Sequence, residues 1–152
     1  MHSGHRQQFI CDCNLGRLAK WLRILGFDTL YMKNMRGVIM EAERSAGRII
    51  LTRSVKLSSQ RDFFLIKSDH IAEQIKEVDD KFSLKTQLRP FSLCFICNEP
   101  LVSADNSMAA GHVPEYVLST TDSFSNCPKC NRFYWQGSHT NRVMETIHNI
   151  LE

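Results

Sequence analysis

Four of the six cysteines fall in two Cys-x-x-Cys pairs, Cys94-Phe95-Ile96-Cys97 and Cys127-Pro128-Lys129-Cys130, separated by a 29-residue spacer. Two residues between thiolates let each pair turn tightly enough for both sulfurs to face one ion. Two such turns close a tetrahedral site with no open position, the pattern of structural zinc. An iron site and free thiols are the alternatives. A second candidate is a single acid. Phe9-Ile10-Cys11 is a short apolar run that stops at Asp12, and a polar, glycine-containing joint then leads into an amphipathic segment. Ligands of open α/β sheets gather at the carboxyl ends of strands, which makes Asp12 the first suspect for metal or phosphate chemistry. Cys11 and Cys13 bracket it, and inert buried thiols are the first reading of that pair, a redox pair the second.

Metal-dependent phosphodiester hydrolysis needs carboxylates converging on one or two hard cations that activate water and offset phosphate charge. Asp12 and Asp69 are the candidates, with Glu41 or Glu43 if the second helix faces the same edge. Single acids after strands also serve as helix caps.

The elements that must position these residues follow from periodicity. Phe9 to Cys11 reads as a buried strand. Leu15, Leu18, Ala19, Leu22 and Leu25 share one face of a helix that Gly26 stops. Arg17, Lys20 and Arg23 fall within an arc of about 120° on its opposite side. A solvated helix face would account for them; their place directly after Asp12 favours phosphate contact. Strands follow at Thr29 to Tyr31, Arg48 to Thr52 and Phe63 to Ile66, with helices at Val38 to Ala46 and Ile71 to Phe82. Alternating continuous apolar strands with helices implies a parallel sheet covered on both faces. Right-handed crossovers would then make Asp12, Ser54 and Asp69 neighbours. Leu84 to Phe91 reads as a linker, so the expected organisation is a tail (1–8), an α/β domain (9–86) and a small β-rich module (87–152).

The 152-residue chain carries 43% hydrophobic and 23% charged residues, the balance of a soluble globular protein. No apolar run approaches the ~20 residues of a membrane span, and the absence of a secretory pattern points to the cytoplasm. Residues 1–90 hold 16 Lys+Arg against 10 Asp+Glu, whereas residues 91–152 hold 3 against 6. The basic surface therefore belongs to the first part, where it suits a polyanion or serves solubility alone.

Taken together, CDCNLGRLAKWLRILGFD (Cys11 to Asp28), GRIILTRSVKL (Gly47 to Leu57), CFICNEPL (Cys94 to Leu101) and FSNCPKCNRFYWQGSH (Phe124 to His139) resemble the Mut-seven C-terminal RNase domain family. The resemblance spans about Phe9 to Ile147. It implies a PIN-like nuclease fold followed by a zinc ribbon, and a magnesium- or manganese-dependent ribonuclease leaving 5′-phosphate and 3′-hydroxyl ends. Carried over, the family's first acid falls on Asp12 and a later one on Asp69. Arg17, Lys20, Arg23 and Arg53 would hold RNA phosphates. Ser54 stands where the family usually has an aspartate after Thr-Arg; a hydroxyl can ligate a cation but brings no charge. A non-catalytic RNA-binding or interaction module is therefore the rival expectation. Tyr134 and Trp135 read as ribbon core or as base-stacking rings. His139, with Arg142 nearby, could instead reach toward Asp12 or a phosphate.

Overall fold

In the computed structural model, residues 6–34, 41 and 46–152 are described. The helix expected over Val38 to Ala46 falls almost wholly outside them, as does Glu43.

The first apolar run forms β1 (Phe9–Cys11), and the amphipathic segment forms α1 (Gly16–Ile24). Then come β2 (Thr29–Tyr31), β3 (Ile49–Thr52), a single-turn α2 (Val55–Ser58), β4 (Phe63–Leu65) and α3 (Ile71–Phe82). The four strands make a parallel sheet in the order β2-β1-β3-β4. Phe9 lies opposite both Thr29 and Ile49, and Leu51 opposite Phe64. Alternation along the strands separates the two faces. Phe9, Cys11 and Leu51 join Leu18 and Leu22 of α1 and Ile75 and Val78 of α3 in the larger core, while Ile10 and Ile50 pack on the other face with Leu30, Met32 and Phe63. Phe82 closes the larger core, its ring edge-on to Phe9 and Phe64 at 5.5 and 5.4 Å.

The segment expected to be a linker is packed instead. A 3₁₀ turn at Leu84–Thr86 carries buried Leu84, and Arg89 N and Phe91 N donate to Leu25 O and Ile24 O at the end of α1. The chain passes so close that a Cβ on Gly26, which has φ +95, would lie 2.3 Å from Arg89 O. Only glycine fits there, on both backbone conformation and space.

Beyond it lies an antiparallel sheet of β5 (Val102–Ala104), β6 (Phe124–Asn126) and β7 (Phe133–Tyr134). The spacer between the cysteine pairs holds β5, β6 and two short helices, α4 (Asn106–Ala109) and α5 (Glu115–Thr120). They bury Ala109, Val113, Val117 and Phe124 in a core of their own. The last helix, α6 (Ser138–Leu151), returns to the first part of the chain, where Ile147 and Leu151 are buried in the parallel-sheet core. The fold is thus a mixed α/β structure: a parallel sheet flanked by helices, and a small antiparallel sheet beside four clustered cysteines, as in a zinc ribbon.

Candidate metal centre and sheet-edge site

Each cysteine pair sits in a turn closed by the asparagine that follows it. Asn98 N donates to Cys94 O and Asn131 N to Cys127 O, both at 2.8 Å. Both asparagines take the left-handed conformation, with φ of 63 and 60, which asparagine tolerates better than most residues. The repeated Cys-x-x-Cys-Asn is therefore a sequence signal of the turn itself. The turns aim amides inward: Cys97 N lies 3.4 Å from Cys94 Sγ and Cys130 N 3.5 Å from Cys127 Sγ. All four sulfurs lie within 4.8 Å of one another, with Cys94 and Cys130 Sγ 3.8 Å apart. Sulfurs about 2.3 Å from a tetrahedral ion would be separated by this order of distance, so the donor set fits a metal such as zinc.

The electrostatics agree. Burial opposes the Cys94 thiolate, but the Tyr134 hydroxyl, 3.1 Å from its sulfur, and the Cys97 and Ile96 amides bring its pKa down to about 7. Burial and the neighbouring sulfurs push Cys97 up to about 12, and burial also raises Cys127. One charge is welcome in this cluster and four are not, unless a cation shares them. Tyr134, whose role with Cys94 does not follow from sequence spacing, supplies the hydroxyl contact from β7.

The first cysteine turn is clamped to the parallel domain. Asn98 Oδ1 accepts from Thr29 N at 3.0 Å, and its Nδ2 donates to Asp28 Oδ1 at 2.6 Å. Asp28 is also paired with Arg48 at 3.0 Å. Arg23 donates to the carbonyls of Phe95 and Ile96 at 3.2 and 3.1 Å and to Thr29 O at 2.8 Å. Lys20 Nζ sits 4.9 Å from the centre of the Phe95 ring, a cation–π contact. Two of the three α1 cations expected to hold phosphates thus join the domains; Arg17 remains beside a surface groove between α1, α3 and α6.

At the carboxyl edge of the sheet, Asp12 is buried immediately after β1. The β1–β3 register places Cys11 opposite Leu51, so Asp12 and Thr52 are the next pair on the same face. Thr52 Oγ1 donates to Asp12 Oδ2 at 2.8 Å, and Cys13 N donates to Asp12 Oδ1 at 2.6 Å. Thr52 Oγ1 also accepts from Ser54 N at 3.0 Å, and Ser54 Oγ caps α2 through Leu57 N at 3.2 Å. Thr52 was not among the sequence candidates, although strand register could have found it. Tyr31 OH fixes the same joint by donating to Cys13 O at 2.7 Å.

The other acids are placed elsewhere. Asp69 is exposed and pairs with His70 at 3.5 Å. The loop that carries it is held by Glu77, which accepts from Lys67 N and Ser68 N at 2.8 and 3.0 Å, and by Arg53, which donates to Ser68 O at 2.5 Å. Glu41 is exposed. Among the described residues, the four cysteines form the one group of three or more potential ligands close enough to share an ion. Magnesium is commonly bound through one or two carboxylates together with water and substrate phosphates. Asp12, a single buried carboxylate at the strand ends, meets the lower end of that requirement. His139 and Arg142 are exposed on α6. Burial and the Asp12 charge push the Cys11 thiol far up, and Asp12 raises exposed Cys13; neither cysteine has an activated thiolate.

The chain is a mixed α/β protein in which a parallel sheet with one buried acid at its strand ends is joined to a ribbon whose four cysteines could hold a metal. Residues 7–147 match the Mut7-C RNAse domain family, nearly the whole chain, and the protein belongs to that family. No curated protein and no solved structure matches it significantly. Among the described residues no helix is long and apolar enough to cross a membrane.

Proposed function

We propose that this protein is a cytoplasmic, divalent-metal-dependent ribonuclease whose catalytic centre is built on Asp12, with zinc in the Cys94, Cys97, Cys127 and Cys130 site. The observation that carries the reading is the buried Asp12 carboxylate at the strand ends, oriented by Thr52 and Cys13 N, in a chain of an RNase domain family. A magnesium or manganese ion at Asp12 would activate water and offset phosphate charge. Thr52 holds the carboxylate in one orientation. Ser54 offers a neutral ligand beside it, and Asp69 and Glu41 are further acids that RNA or metal binding would have to recruit. Arg17 is the α1 cation left to meet a phosphate. The 87–152 module contributes the zinc site, and α6 ties it to the 9–86 domain.

Manganese-dependent cleavage of single-stranded RNA should fall at least about a hundredfold in Asp12→Asn, more than the loss of a residue that only orients a ligand, while the far-ultraviolet circular dichroism is retained. Equal activity in the variant rejects the assignment.

A second reading, a catalytically degenerate RNA-binding module, is favoured by Ser54, whose hydroxyl is engaged as a helix cap and which brings no charge to Asp12. It predicts no cleavage by wild type and activity in Ser54→Asp.

A further inference from the structure

Two adjoining clefts lie where the ribbon meets α6, of about 280 and 520 Å³, the larger within the ordinary range of small-ligand sites. They share walls formed by Phe95, Tyr134, Trp135, Gln136, His139 and Thr140. Tyr116 of α5, 71% exposed, lines the larger one. An exposed tyrosine ring on the edge of an aromatic cleft is not explained by the ribbon's own core, which is Ala104, Ala109, Val113, Val117 and Phe124.

The charge of the lining is selective. Residues 91–152 carry more acids than bases, yet among the described residues no Asp or Glu lines either cleft, and the larger one is lined by Arg132 and His139. The first turn of the fourteen-residue α6 supplies another wall, and its positive end adds to that field. Phe95 carries Lys20 over its ring on the side of α1, and α1 starts four residues after Asp12. Lys20 thus sets one cation of α1 beside the aromatic wall of the cleft.

We propose that this cleft binds single-stranded RNA, with unpaired bases stacked on Trp135 and Tyr116 and the adjacent phosphates drawn to Arg132 and α6. Base–aromatic stacking is tolerant of sequence, and a basic groove that follows the backbone supplies the rest of the affinity. A duplex has no unstacked bases to offer, so the cleft selects for unpaired strands. The inference rests on RNA as the partner and is independent of whether Asp12 catalyses cleavage.

The test uses the zinc-loaded full chain carrying Trp21→Phe, so that Trp135 is the sole tryptophan, without added magnesium or manganese. Oligoadenylate should quench Trp135 emission saturably, and Tyr116→Ala should weaken binding about tenfold. Unaltered emission at saturating RNA, unaltered affinity in Tyr116→Ala, or equal affinity for an abasic ribose-phosphate oligomer overturns the proposal. So does emission that follows protein concentration instead of RNA, which would assign the cleft to a second copy of the chain. Cleavage that persists alongside any of these outcomes leaves the nuclease reading standing. Binding as expected, with no cleavage when manganese is added, removes the nuclease reading alone.

Discussion

The two candidate centres are assembled in opposite ways. At the cysteine centre the ligands come as two local turns, each fixed within five residues by its own asparagine, and all four donors reach one point. At the sheet edge one acid is positioned by a threonine hydroxyl 40 residues away in sequence and by the amide of its neighbour Cys13. A soft-metal site can be complete once its turns form. A hard-cation site needs charges delivered by several distant elements, and the charge count sets its affinity. The contrast teaches that metal binding at the four cysteines would be a property of the ribbon, whereas the proposed nuclease chemistry would depend on how loops converge on Asp12.

Removing one ligand tests the first half most severely. Cys127→Ser should reduce bound zinc from one per chain to near zero by metal analysis and abolish the cooperative melting of the ribbon. Structural zinc sites supply about 10 kcal/mol or more of apparent folding energy. The two regions meet at α6, where Ile147 fills the parallel-sheet core. Ile147→Ala should cost about 2–5 kcal/mol in urea unfolding, and an effect confined to the ribbon would place the helix wrongly. Thr52→Val leaves the Ser54 amide and one Asp12 oxygen without their partner. It should cost about 1–3 kcal/mol and lower any Asp12-dependent cleavage, whereas full stability and activity would show that Thr52 does not position the acid. The smallest change is Ser54→Ala, expected to cost about 1 kcal/mol for the lost helix cap. Ser54→Asp should keep the cap, and a rise in manganese-dependent cleavage would show that charge is what the edge lacks.

Much of this was legible from local pattern. Strands at Phe9 to Cys11 and Thr29 to Tyr31, the helix after Asp12, the Gly26 stop and the paired cysteines all depend on residues near one another in the chain. The packed course of Leu84 to Phe91 was less visible, because Pro90 and polar neighbours look like a linker until Gly26 is seen to admit the backbone beside it. The basic arc of α1 is legible as a face. That Arg23 and Lys20 turn to Phe95 and Ile96, more than 70 residues away, is not written in local pattern.

The sequence by itself determined the family, the alternation that builds a parallel sheet, and the four cysteines that could hold a metal, because each is written in the type and spacing of neighbouring residues. Only the tertiary structure decided that Thr52 meets Asp12, that Asp69 is turned to solvent with His70, and that α6 seals the first core. Those contacts depend on strand register and on which backbone groups distant cations and carboxylates must satisfy. Asp12 can be recognised as an acid at a strand end from three residues; its partners are chosen by the whole fold.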